Sequence, residues 1–177
     1  MKRLAPYLGI LAGVVALDQL TKAILVRTLP LHEYWPVIDG LLSVSHVHNR
    51  GAAFGVLSDA SLPYQPVLLS VLSLAALVAI GYYFVRLPPR ARLPRVALAL
   101  VLGGAVGNLI DRVRLGYVLD FIHVYWRQYA WPDFNVADSA ITVGVTLLIL
   151  DIILESRAEP SETPGVGATP SASGRID

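Results

Sequence analysis

The sequence predicts a membrane protein with an all-helical core: four transmembrane helices, a small β-sheet outside the bilayer, and a short surface helix or lid. Three observations predict it. The chain of 177 residues is 55% hydrophobic and only 15% charged, too apolar for a soluble domain of this size. Its apolar residues come in blocks long enough to cross a bilayer, which takes roughly 20 helical residues. Between the blocks lie stretches rich in β-branched and aromatic residues that alternate as strands do.

The apolar blocks fall at about 7–26, 66–85, 96–113 and 137–154. Backbone groups in lipid need internal partners, so each block reads as a helix. The third concentrates small residues (Gly103, Gly104, Ala105, Gly107), which allow helices to approach closely. The first follows Lys2 and Arg3, but Asp18, Gln19 and Lys22 interrupt its far end and no small-residue cleavage site follows. It is therefore expected to be retained as a span rather than removed as a signal peptide. Residues 1–157 are expected to form one domain. Residues 158–177, rich in Pro, Ser, Gly, Ala and Thr, read as a disordered cytoplasmic tail.

Basic residues give the orientation. Arg86, Arg90, Arg92 and Arg95 crowd the short link between the second and third blocks, whereas the other two connections carry sparser positive charge. The positive-inside rule then puts both termini and the arginine-rich link in the cytoplasm. Segments 27–65 and 114–136 are left outside. Within the first, 41–48 alternates as a half-buried strand, with Pro36 and Asp39-Gly40 punctuating its approach, and 57–65 is the expected surface helix or lid. Within the second, Val118, Ile122, Val124 and Tyr125 mark another strand. Trp35, Trp126 and Trp131 suit an interfacial aromatic belt.

Two aspartates stand out, Asp120 after the third block and Asp138 at the mouth of the fourth. A carboxylate at the edge of hydrocarbon is expensive and tends to be neutral, paired or functional. Two of them on one membrane face can share a proton, one activating water and the other protonating a departing amine. Taken singly, Asp138 can be an N-cap and Asp120 a solvated loop acid. Asn108, Asp111 and Arg112 share one side of the third helix, where Arg112 can pair with a carboxylate or snorkel at the membrane edge. Asp18 and Lys22, spaced i, i+4, can form an ion pair or support the site. Asn49 opens a turn, Asn49-Arg50-Gly51, ahead of more small residues.

Other chemistries find little support. The absence of cysteine excludes disulfides and thiolate chemistry. A net charge of +1 implies no attraction to nucleic acid. His46, His48 and His123 make a zinc set on paper only, and no metal or cofactor is expected. Ser139 lacks the Gly-x-Ser-x-Gly elbow of serine hydrolases. The competing class is a small transporter, channel subunit or assembly factor with Asp18, Asp111 and Arg112 on an ion path.

Five motifs occur in order: Asp18-Gln19-x-Thr21-Lys22, Asn49-x-Gly51-Ala52-Ala53-Phe54-Gly55, Gly103-Gly104-Ala105-x-Gly107-Asn108-x-x-Asp111-Arg112, Gly116-x-Val118-x-Asp120-Phe121-Ile122 and Phe134-Asn135-x-Ala137-Asp138. Together the set resembles the bacterial lipoprotein signal peptidases, or signal peptidase II. The resemblance implies an intramembrane aspartic peptidase of the bacterial cytoplasmic (inner) membrane, with its active site at the outer face. Its substrates would be prolipoproteins carrying diacylglycerol, cut just before the lipidated cysteine. Asp120 and Asp138 match the catalytic dyad. Asp18, Asn49, Gly104, Asn108, Arg112, Asn135 and Ala137 match positions that shape or support the site. The resemblance also implies contact with membrane lipid and sensitivity to globomycin-type inhibitors, and a monomer is expected.

Overall fold

The computed structural model describes residues 4–51 and 64–158. Of the expected lid over 57–65, residues 57–63 lie outside the described residues, as does the expected tail beyond 158, while Gln65 begins a helix. The elements run α1 (Ala5–Thr28), β1 (Tyr34–Ile38), β2 (Leu42–Asn49), α2 (Gln65–Arg86), α3 (Arg92–Leu115), β3 (Val118–Trp126), β4 (Tyr129–Ala130) and α4 (Val136–Ala158). All four helices are long and apolar enough to cross a membrane. Each exceeds its apolar block by up to about a turn, since helical hydrogen bonding continues past the last apolar residue.

α3 is the central helix. It packs against α1, α2 and α4, while among the described residues α2 makes at most sparse backbone contact with α1 or α4. The reason lies in its glycines. A Cβ on Gly104 would collide with the Ala137 carbonyl oxygen of α4 and with Ile141, and one on Gly107 would sit 2.7 Å from an Asp18 carboxylate oxygen. Glycine at these two positions lets α1 and α4 close onto α3. Near the opposite end, Phe84, Leu98 and Leu102 form a core with Tyr7, Ile80 and Leu148, so side chains of all four helices meet there. The outward faces of α1, α2 and α4 expose Leu20, Ile24, Val71, Leu74, Val78, Ile149 and Ile152, as lipid-facing surfaces do.

α3 stops at Gly116, whose φ of 79° places it in the left-handed region while its N–H reaches the Arg112 carbonyl at 3.0 Å. That glycine cap turns the chain directly into β3. The sheet is antiparallel in the order β1-β2-β3-β4. β2 and β3 occupy the two stretches with strand-like alternation. β1 is a correction to the sequence reading: Pro36, taken as punctuation, lies inside a strand. It can do so because β1 pairs only with β2, and an edge strand tolerates proline's missing donor. A bulge in β2 between Val44 and Val47 buries two consecutive residues, Ser45 and His46. Beyond it, Val47 pairs with Asp120 and Asn49 with Val118. Leu119 is buried between the strands and α1 with Leu25 and Leu29, which seats the sheet on the first helix.

Candidate active site

Asp120 lies on β3 and is 1% exposed. Asn49 at the end of β2 donates to its Oδ2 at 2.9 Å, and Asn135 donates to its Oδ1 at 2.7 Å. The segment carrying Asn135 is pinned to β3, because Phe121 and Ile122 both donate to the Phe134 carbonyl and Phe134 donates back to Ile122.

Asp138 lies in the first turn of α4. The sequence reading allowed it the N-cap; the N-cap contact comes instead from Asn135, whose Oδ1 accepts the Asp138 N–H at 2.9 Å. Asp138 Oδ2 in turn accepts the Asn135 N–H at 3.3 Å. This reciprocal arrangement is a capping box with an aspartate at its third position. Ser139 completes the turn by donating to the Asn135 carbonyl. Asp138 Oδ1 remains and accepts from Asn108 of α3 at 2.7 Å. Asn135 thus touches both aspartates, and its side chain also donates to Asn108 Oδ1 at 3.3 Å.

Burial, and next the charge of Asp138, push the Asp120 carboxyl up to about 7, against the pull of its hydrogen bonds from Asn49 and Asn135 and of the Lys22 charge.

Behind the pair sits a second cluster. Lys22 Nζ lies 2.9 Å from Asp18 Oδ2 and 2.7 Å from Asp111 Oδ2, all three groups being buried. Asp18 also accepts the Ala137 N–H at 3.0 Å, and Asp111 accepts the Leu119 N–H at 3.2 Å. Gln19 donates to Asp111 Oδ1. The cluster therefore clamps α1, α3, β3 and the start of α4 together, the residue before each of Asp120 and Asp138 being held by its backbone N–H. The sequence reading left Lys22 and Asp111 out of the site, although the i, i+4 spacing to Asp18 and the shared face with Asn108 pointed to both. It also allowed Arg112 either a carboxylate partner or a place at the membrane edge. Among the described residues Arg112 forms no ion pair; Lys22 reaches Asp111 from α1, and Arg112 faces a cavity instead.

That cavity, of about 810 Å³, lies between α2, α3 and α4 beneath β3 and the segment leading to α4. Asn49, Asn108, Arg112 and Asp138 line its polar end, and Leu69, Leu72, Ala76, Ile141 and Val143 its apolar one. Of the residues predicted for the site, Asn49, Asn108, Asn135, Asp120 and Asp138 are brought together by direct hydrogen bonds. Asp18 and Ala137 stand one bond further back, and Gly104 gives α4 its approach. The histidines lie apart from this network. His46 bonds the Leu29 carbonyl, His48 stacks on Tyr117, and His123 contacts Asp133, Tyr34 and Tyr125. Among the described residues no group of His, Cys, Asp and Glu is arranged to hold a metal ion.

The model of the family described as signal peptidase (SPase) II matches residues 10–154. The chain belongs to this family. A lipoprotein signal peptidase of Geobacter sulfurreducens is 51% identical over 149 residues, covering 84% of this chain and 92% of the relative. One from Geobacter metallireducens is 47% identical over 148 residues, with 84% and 90% covered. A solved bacterial membrane enzyme superposes with a TM-score of 0.79 at 31% identity, over 90% of this chain and 94% of that one. Membership of the signal peptidase II family makes the protein a multi-pass membrane peptidase and sets aside the transporter and assembly-factor readings. The aspartic mechanism read from the sequence is consistent with that family.

Proposed function

We propose that the protein removes the signal peptide from diacylglyceryl-modified prolipoproteins, cleaving before the lipidated cysteine, with Asp120 and Asp138 as the catalytic dyad. The observation that carries the reading is the pair of carboxyls joined through Asn135, with Asp138 at the polar end of a large apolar cavity. The pair shares one proton, and Asp120 holds it. Asp138 takes a proton from the attacking water while Asp120 passes its own to the substrate carbonyl oxygen. As the C–N bond breaks, Asp138 returns its proton to the departing nitrogen, and Asp120 recovers one from the hydroxyl of the intermediate, restoring both groups.

The other assignments follow the same reading. Asn49, Asn108 and Asn135 hold the carboxyls in register, and Arg112, free of a carboxylate partner among the described residues, offers its guanidinium to the substrate. Asp18, Gly104 and Ala137 support the first turn of α4. The substrate's signal helix and acyl chains enter from the bilayer between α2 and α4, where backbone contact among the described residues is sparse. Both termini face the cytoplasm and the dyad faces outward, as the arginine-rich link requires. The protein acts as a monomer in contact with membrane lipid, and globomycin-type inhibitors compete for the apolar cavity.

The experiment is cleavage by the purified protein of a prolipoprotein with and without its diacylglyceryl group. Cutting of the lipidated form alone is expected. Equal cutting of both forms would sink the lipid requirement, and no cutting of either would sink the assignment of substrate.

A further inference from the structure

The two aspartates open onto different spaces. Asp138 lines the 810 Å³ cavity described above, whereas Asp120 lines a smaller one of about 330 Å³ with Val47, His48 and Arg50. Asn49, Pro132 and Asp133 line both. A peptide bond held between the aspartates therefore has a large, mainly apolar space on one side and on the other a small one lined mostly by polar and charged residues. The two spaces differ as the two halves of the proposed substrate differ.

Asp133 stands at the junction. Its Oδ1 accepts from Ser45 Oγ at 2.5 Å and lies 3.2 Å from His123 Nδ1, so β2 and β3 hold the carboxyl in place. Ser45 is available to it only because the β2 bulge buries that residue. Among the described residues its Oδ2 has no hydrogen-bond partner. Arg50 lines the same small cavity with the opposite charge. Asp133 lies outside the five motifs and Arg50 fills the variable position of the second, whereas Asp120 and Asp138 are fixed positions.

We propose that the smaller cavity is the path of the polypeptide following the lipidated cysteine, and that Asp133 and Arg50 are specificity-determining residues that read the charge of its first side chains. The inference rests on the peptidase reading and deepens it. The lipid and signal helix occupy the larger cavity, and the mature chain leaves past Asp133. Asp133 favours a cation just after the cysteine and Arg50 favours an anion.

The test uses the full-length protein and three lipidated prolipoproteins that differ only in carrying Lys, Gln or Glu directly after the cysteine. Asp133→Asn is expected to lower the Lys-to-Glu ratio of kcat/KM by about fivefold, and Arg50→Gln to raise it by a similar factor, the scale of a solvent-accessible charge contact. A purely structural role for Asp133 lowers all three substrates together and leaves the ratio alone. That result, or a ratio unchanged in Arg50→Gln should Asp133→Asn fail to fold, would overturn the proposal. If wild type cleaves none of the three, the substrate reading falls and this inference falls with it.

Discussion

Two carboxylate pairs lie back to back in this protein, and they are neutralised in opposite ways. Asp18 and Asp111 share the ammonium of Lys22, at 2.9 and 2.7 Å. Asp120 and Asp138 share no cation; amides of Asn49, Asn108 and Asn135 hold them. A buried charge must be paired or surrender itself to a proton. The first pair takes the ion-pair solution and becomes structural. The second is left with neutral donors, which orient the carboxyls without fixing their charge, and that is the condition for passing protons. On the proposed mechanism the contrast assigns stability to one cluster and chemistry to the other.

Neutralising the dyad breaks the comparison most sharply. Asp120→Asn or Asp138→Asn is expected to lower cleavage on the order of a thousandfold or more, while thermal unfolding in detergent stays near that of wild type. A large loss of stability in Asp120→Asn would place that residue with the structural cluster. Lys22→Met should do the reverse. It strands two buried carboxylates and should cost about 3 to 5 kcal/mol in unfolding free energy, with most of the activity loss following the folded fraction. Asn135→Ala lies between, since Asn135 belongs to the cap and the dyad at once. About 1 kcal/mol of stability should go with the cap, together with a fall in kcat that exceeds what unfolding explains.

The smallest effect sharpens the picture through pH. Asp120 is raised to about 7 in the folded protein from the usual carboxylate value near 4. Between those values the folded state binds a proton that the unfolded chain does not, so the Asp120 contribution to stability declines as pH rises from about 4 to about 7. Cleavage should decline on the alkaline side as the shared proton is lost, with a limb near 7. An alkaline limb absent up to pH 9 would argue against a protonated Asp120 in the working enzyme.

The fold class was legible because hydropathy blocks and strand alternation are local signals. Asp120 and Asp138 were legible because carboxylates beside apolar runs are conspicuous against their neighbours. Other features depended on tertiary arrangement. Pro36 hid β1, since nothing local says that a strand will be an edge. The choice between Lys22 and Arg112 as partner of Asp111 depends on how α1 packs on α3, which glycine spacing suggests but does not specify. Asn135 as cap in place of Asp138 is a matter of three residues, visible only once the reciprocal hydrogen bonds are seen. Asp133 carried no signal, because its partners Ser45 and His123 come from two separate strands.

The capping box at the start of α4 also bears on how the enzyme is made. On the proposed mechanism a nascent chain with three helices in place already carries Asp120, yet it lacks both Asp138 and the asparagine that holds the two together. Helix capping and assembly of the dyad are the same event, because Asn135 performs both. On that mechanism the dyad is complete only once the last helix is in place.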